Sequence, residues 1–131
     1  IQQRALSKYH TPGLWANTCC THPYWQETSE DCAKRRLYEE LGINVSELTY
    51  KDKIEYKAEV GNDLIENELV DIFVCYFDKK SNVTIKLNPE EVMSTKWIKI
   101  DELISEIEKD PAHFTPWIRI YMDQHREQIT L

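Results

Sequence analysis

Thr21-His22-Pro23-Tyr24-Trp25-Gln26-Glu27-Thr28-Ser29-Glu30-Asp31-Cys32-Ala33-Lys34-Arg35-Arg36-Leu37-Tyr38-Glu39-Glu40-Leu41-Gly42-Ile43 is the stretch on which the fold of this 131-residue chain turns. Thr28 offers a hydroxyl cap, and Glu30 and Asp31 place acids in a first helical turn, where free N–H groups favour negative charge. Ala33, Leu37 and Leu41 then recur every four residues as a buried stripe, and Gly42 supplies the left-handed stop. Cys32, Arg36 and Glu40 are also four apart and share a second face. Taken alone, Arg36 and Glu40 read as an exposed i,i+4 ion pair.

Outward from this helix the pattern changes period. Upstream, Thr11-Pro12-Gly13 marks a turn and Leu14 to His22 reads as extended chain. Downstream, Lys51 to Glu59 reads as a strand and Val60 to Asp63 as a turn. Leu64 to Phe77 is a long strand rich in β-branched and aromatic residues. Val83 to Leu87 and Thr95 to Ile100 are shorter strands, Glu102 to Glu108 is a helix, and Thr115 caps a last helix with Pro116 at its first position. Strands and helices mixed without a βαβ rhythm predict an α+β fold.

Composition narrows the class of function. With 41% hydrophobic and 30% charged residues and a net charge of -7, the chain is a soluble globular type. It has no basic field for nucleic acid or an anionic membrane, so an anionic ligand must be held by a local cluster of Arg and Lys. The longest apolar run, Leu69 to Phe77, is too short for a membrane span and carries Asp71. Cysteines 19, 20, 32 and 75 show neither a disulfide framework nor a zinc knuckle, which points to a reducing, cytoplasmic compartment. The chain reads as a single domain over 1–131, opening at Ile1 in mid-pattern and without an initiating Met, so a natural segment upstream of it is expected. Oligomeric state is not legible.

The helical stretch resembles the Nudix box, Gly-x5-Glu-x7-Arg-Glu-apolar-x-Glu-Glu-x-Gly-apolar. Glu27, Arg35, Leu37, Glu39-Glu40 and Gly42-Ile43 fall on its fixed places, while Thr21 replaces the opening Gly and Arg36 replaces the Glu after Arg35. The resemblance implies a mixed β-sheet sandwiched between helices. In Nudix hydrolases the box carboxylates gather magnesium, and a cation in place of one of them removes a ligand while supplying a partner for a diphosphate oxygen. That change points away from hydrolysis and toward diphosphate binding.

Further segments resemble type 1 isopentenyl diphosphate isomerase. They are Arg4-Ala5-Leu6-Ser7-Lys8 with Pro12-Gly13, then Thr18-Cys19-Cys20-Thr21-His22-Pro23, Glu66-Asn67-Glu68 and Phe114-Thr115-Pro116-Trp117. The resemblance implies isomerisation of isopentenyl to dimethylallyl diphosphate in isoprenoid biosynthesis, by protonation and deprotonation through a tertiary carbocation. It implies Cys20 as the catalytic thiol and Glu68 with Tyr56 as the opposing acid–base group. His22, Glu66 and Glu68 resemble ligands of a second divalent metal, Mn2+ or Zn2+, and Glu40 resembles the ligand of a Mg2+ ion that accompanies the diphosphate. Arg4, Lys8 and Arg36 resemble the diphosphate cradle, and Trp117 the aromatic face that steadies the cation. Two further metal-binding histidines and a lysine of the family belong to a segment upstream of Ile1.

The residues support parts of this directly. Cys20 and His22, two apart in extended chain, share a side, and Cys19 points to the other, where it reads as a packed small hydrophobe. Glu66 and Glu68 share a side with Val70, Ile72 and Val74, so the acids lie on the face the strand buries further along. The plain readings are two solvated acids, a hydrophobic anchor at Trp117, and structural roles for His10, His113 and His125. Two rival functions remain: a Nudix hydrolase, which predicts Glu at position 36, and a catalytically dead binding module, which predicts solvated site residues.

Overall fold

The computed structural model describes residues 1–130. In chain order it contains β1 (Gln2–Arg4), β2 (Trp15–Ala16), α1 (Ser29–Leu41), β3 (Thr49–Gly61), β4 (Leu64–Val74), β5 (Val92–Thr95), α2 (Ile100–Lys109), α3 (Pro116–Gln124) and α4 (Arg126–Ile129), with short 3-10 turns at Lys80–Asn82 and Pro111–His113. The α+β class holds. The strands form two antiparallel sheets, β2-β1-β5 and the hairpin β3-β4. Among the described residues the parallel pairing is confined to an isolated bridge between Trp15 and Phe114. None of the described helices is long and apolar enough to cross a membrane.

Helix α1 forms as its sequence dictates. The Thr28 hydroxyl accepts from the Asp31 N–H, and Gly42 turns left-handed at φ 65° with its N–H donating to the Tyr38 carbonyl. A Cβ at Gly42 would stand 2.8 Å from the Lys86 Cβ, so both the turn and the close approach require glycine. Its fully buried positions are Cys32, Leu37, Glu40 and Leu41, with Ala33 only half-buried. A carboxylate thus sits among the core residues of this helix, which the four-residue apolar stripe does not show.

The chain expected as strand from Val83 to Leu87 takes no ladder. Its backbone serves the C-terminal end of α1 instead, with Lys86 N–H donating to the Leu41 carbonyl at 2.7 Å and Asn88 N–H to the Glu40 carbonyl at 2.9 Å. Those carbonyls have no partner inside the helix, and this segment satisfies them. Val83, Ile85 and Leu87 meanwhile cover the cluster of Leu37, Leu41, Ile43 and Val92. The expected strand at Thr95 to Ile100 ends at its first residue, since β5 runs Val92–Thr95 and α2 begins at Ile100.

The hairpin is the long-range scaffold. Ile54, Tyr56, Ala58 and Val60 alternate into the core, and Asn62 and Asp63, both at positive φ, make the tight reversal that right-twisted strands favour. Val70 and Ile72 pack on the same cluster as Trp117 and Tyr121, so the β4 face that carries Glu66 and Glu68 is the one buried further along. Thr115 precedes α3 with Pro116 at the first position, but its side chain makes no cap bond. Its N–H donates to the Trp15 carbonyl instead, which ties α3 to β2.

Candidate active site

The site lies where β1 and the loop after it meet the loop after β2, α1 and the outer half of the hairpin. Between β2 and α1, only Trp15–Ala16 is strand, and residues 17–27 are irregular rather than extended to His22. The alternation that was to set the two cysteines on opposite sides is therefore absent, and Cys19 also has Glu40 and Arg36 as charged neighbours. Cys19 packs against the Leu37, Leu41, Ile43 and Val92 cluster, and burial is the first cause that pushes its thiol up. Cys20 has Glu66, Glu40, Arg4 and Glu68 as its charged neighbours. Burial first, then the Glu66 and Glu40 carboxylates, push the Cys20 thiol up to about 12, with Arg4 opposing them. At neutral pH this sulfur carries its proton.

Tyr56 and Glu68 are cross-strand partners in the hairpin register, yet the Tyr56 hydroxyl donates to Glu66 Oε2 at 2.9 Å and not to Glu68. Glu66 is the register partner of Ala58, so the phenol crosses the ladder diagonally. Burial first, then neighbouring Tyr121 and Cys20, hold the Tyr56 phenol above its usual range. Glu68 instead has His22 Nε2 at 3.1 Å from its Oε1. The two carboxylates are therefore divided, Glu66 toward the tyrosine and Glu68 toward the histidine.

His10 is a residue of the candidate site that the sequence did not mark. It is buried, its Nε2 lies 3.4 Å from Glu66 Oε1, and its ring stands edge-on to Trp117 with centroids 5.9 Å apart. The Thr11 hydroxyl donates to the His10 carbonyl, which leaves its oxygen to accept from His10 Nδ1–H at 3.0 Å. No motif singles out His10, and only the turn that folds residues 9–13 back toward β4 reveals it. Glu91 is a second such residue, described below.

Trp117 is 2% exposed, a core residue whose indole N–H donates to Asn17 Oδ1 at 3.0 Å. The Arg4 guanidinium lies 5.3 Å from its ring centroid, so the ring already faces one cation. Arg4 Nη2 donates to the His10 carbonyl, while Arg4 Nε and Arg36 Nε are buried donors without a partner among the described residues. Unanswered guanidinium N–H groups on two residues beside one cleft are what an anion would satisfy.

Arg36 does pair with Glu40, at 2.7 Å, but not as an exposed pair: the Glu40 side chain is 5% exposed and that of Arg36 19%. Burial by itself would lower the Arg36 guanidinium, but Glu40, Glu39 and Glu91 outweigh it and keep it charged. Glu40 Oε2 accepts from Gln2 Nε2 at 2.8 Å, so both oxygens of the expected Mg2+ ligand are engaged by protein donors. At the other expected metal site, His22 with Glu66 and Glu68 offers a nitrogen and two carboxylates, a suitable set for a divalent ion. Among the described residues, however, no three His, Cys, Asp or Glu side chains converge on one point. Glu66 accepts from Tyr56, and the His22 side chain is 74% exposed. The residues present do not form a metal cage, and no chemical step is assigned to an ion here.

Glu27 and Arg35 do not reach this cleft. Arg35 Nε and Nη2 grip both Glu27 oxygens at 2.6 and 2.9 Å, and the guanidinium stacks 3.9 Å from the Tyr24 ring centroid. The Arg35 hydrogen bonds, with the Tyr24 N–H, hold the Glu27 carboxyl at about 2. Because the folded value is depressed, the stabilising effect is present above the ordinary carboxylate range and is lost as pH falls through that range toward 2. Glu27→Gln should therefore lower the thermal midpoint at pH 7 and leave it unchanged at pH 2. Equal losses at both pH values would show that packing, not the ion pair, is what Glu27 contributes.

A NUDIX domain model matches residues 1–118. Among curated proteins, the isopentenyl-diphosphate Delta-isomerase of Dinoroseobacter shibae is 54% identical over 129 residues, covering 98% of this chain and 72% of that protein. The isopentenyl-diphosphate Delta-isomerase of Cereibacter sphaeroides is likewise 54% identical with the same coverage. That of Ruegeria pomeroyi is 50% identical, covering 98% of this chain and 71% of that protein.

Proposed function

The chain belongs to the isopentenyl-diphosphate Delta-isomerase family of NUDIX-domain proteins, and we propose that Cys20, Tyr56 and Glu68 carry its proton transfers while Arg4, Lys8 and Arg36 hold the diphosphate. The reaction interconverts isopentenyl and dimethylallyl diphosphate. It requires a proton to be added at one carbon of an alkene and another removed at a different carbon, with the cation between shielded from water.

The observation that carries the reading is the setting of Cys20, a protonated thiol with Glu66, Glu40, Arg4 and Glu68 as charged neighbours. A thiol that is protonated at neutral pH is in the form a general acid needs, and a carboxylate such as Glu68 can accept the proton lost from the neighbouring carbon. Tyr56, also protonated, orients Glu66. Trp117, whose ring already lies under Arg4, supplies a negative face next to the cleft. Arg36 stands where the hydrolase box has Glu, which disfavours the hydrolytic rival. The buried polar cluster disfavours the binding module.

Divalent ions belong to this reading as companions of the diphosphate. His22, Glu66 and Glu68 would be the ligands of Mn2+ or Zn2+, and Glu40 that of Mg2+, only after the contacts that now hold Glu66 and Glu40 are released. Residues 1–131 act as one domain, in a reducing, cytoplasmic compartment that suits four free cysteines. The substrate is a small molecule, and a net charge of -7 speaks against nucleic acid.

The full-length protein, given isopentenyl diphosphate and Mg2+ in heavy water, should form dimethylallyl diphosphate and take deuterium into the carbon chain, read by NMR. Release of phosphate from nucleoside diphosphate derivatives, with no isomer formed, would overturn the assignment.

A further inference from the structure

Glu91 sits between two of the three cations assigned to the diphosphate. Its Oε2 lies 2.7 Å from Lys8 Nζ and 3.3 Å from Arg36 Nη2, so one oxygen bridges both. The same Arg36 nitrogen donates to Glu40 at 2.7 Å. Lys8 and Arg36 are thereby answered by Glu91 and Glu40, which leaves Arg4 as the cation of the three without a carboxylate in salt-bridge contact among the described residues.

Glu91 is not carried there by Lys8. Its backbone is pinned from both sides: Glu91 N–H and Val92 N–H both donate to the Asn88 carbonyl, and the Glu91 carbonyl accepts from Ala5 N–H at 3.0 Å. The last bond joins the turn before β5 to the segment that carries Arg4 and Lys8. Ser7 Oγ donates to the neighbouring Glu90 carbonyl and reinforces the join. The carboxylate is thus aimed by fixed backbone, while Lys8 and Arg36 reach it on long side chains. A pair about a quarter exposed contributes little to stability, so this arrangement calls for another explanation.

We infer that Glu91 is a competing anion built into the cradle: its carboxylate occupies Lys8 and Arg36, and the phosphate groups of a ligand must displace it to reach them. An incoming anion must replace what the cations already have. A lone phosphate exchanges one carboxylate contact for one phosphate contact and gains little. A diphosphate spans both cations, engages Arg4 and the unanswered Nε donors as well, and has the surplus charge to prevail.

This inference rests on the reading of Arg4, Lys8 and Arg36 as the diphosphate cradle, and calorimetry on the full-length protein separates the two. Glu91→Gln should tighten binding of inorganic phosphate by about tenfold or more, the worth of one charge-assisted contact. It should tighten binding of isopentenyl diphosphate by at least as much, since that ligand must displace the same carboxylate. Glu91→Asp, which keeps the charge, should stay near the wild-type affinities. Unchanged or weaker binding of both ligands in Glu91→Gln, the result of a purely structural ion pair, overturns the inference while the cradle stands. If Lys8→Ala and Arg36→Gln leave the affinity for isopentenyl diphosphate untouched, the cradle itself is wrong and the inference falls with it.

Discussion

Cys20→Ser is expected to lower kcat by about 10³- to 10⁴-fold, the range lost when a positioned proton donor is removed, while Cys19→Ser retains most activity. The two cysteines are adjacent in sequence and chemically identical, so the contrast tests placement alone. Cys20 has Glu66, Glu40, Arg4 and Glu68 as charged neighbours, and Cys19 packs on Leu37, Leu41, Ile43 and Val92. A serine hydroxyl at position 20 would keep the shape and the hydrogen-bonding capacity but is much less acidic than a thiol, so protonation of an alkene loses its donor. Steady-state turnover and deuterium incorporation, measured on both variants, check the point. Equal losses would show that the sulfur of Cys20 has no privileged place, and the catalytic assignment would fail.

Arg36→Glu restores the hydrolase box and should nonetheless produce no hydrolase. The new carboxylate would stand among Glu39, Glu40 and Glu91, which now share the guanidinium at 2.9, 2.7 and 3.3 Å. A charge-assisted contact to phosphate contributes about 1.5 to 3 kcal/mol, and its conversion to repulsion should raise the KM for the diphosphate by about a hundredfold. Folding should weaken too, because Glu40 is left buried and unpaired, a loss on the order of 3 to 5 kcal/mol. Arg36→Gln provides the milder companion: a smaller KM increase in a protein that retains more stability. Unchanged KM in either variant, or hydrolysis of nucleotide substrates by Arg36→Glu, would return Arg36 to the role of an ion-pair partner.

These effects come from parts of the site that differ in how far the sequence alone reveals them. The box residues were legible because a helix writes its own rules over short spans. Thr28 caps, Gly42 stops, and the apolar positions recur at the helical period, all within fourteen residues of one another, so the chain needs no distant partner to state them. The face shared by Glu66, Glu68, Val70 and Ile72 was legible for the same reason, since alternation is a property of any strand. The resemblance to the isomerase family then attached roles to residues whose types, taken one by one, would read as surface charges and core aromatics.

The tertiary structure decided which of those residues meet. Glu40 has Gln2, 38 residues away, on its second oxygen, and Glu91 joins Lys8 across 83 residues. His10 enters the cleft only because the turn around Pro12 folds onto β4, and Tyr56 selects Glu66 over its own register partner Glu68. Val83 to Leu87 has the composition of a strand, yet Lys86 N–H and the following Asn88 N–H serve carbonyls of α1 that have no partner inside the helix. Thr115, a ready cap by type, buries its hydroxyl and gives its N–H to Trp15. Local period and capping chemistry are written into neighbouring residues, and so the sequence determines them. Which carboxylate answers which cation depends on packing between segments tens of residues apart, and only the folded chain brings those together.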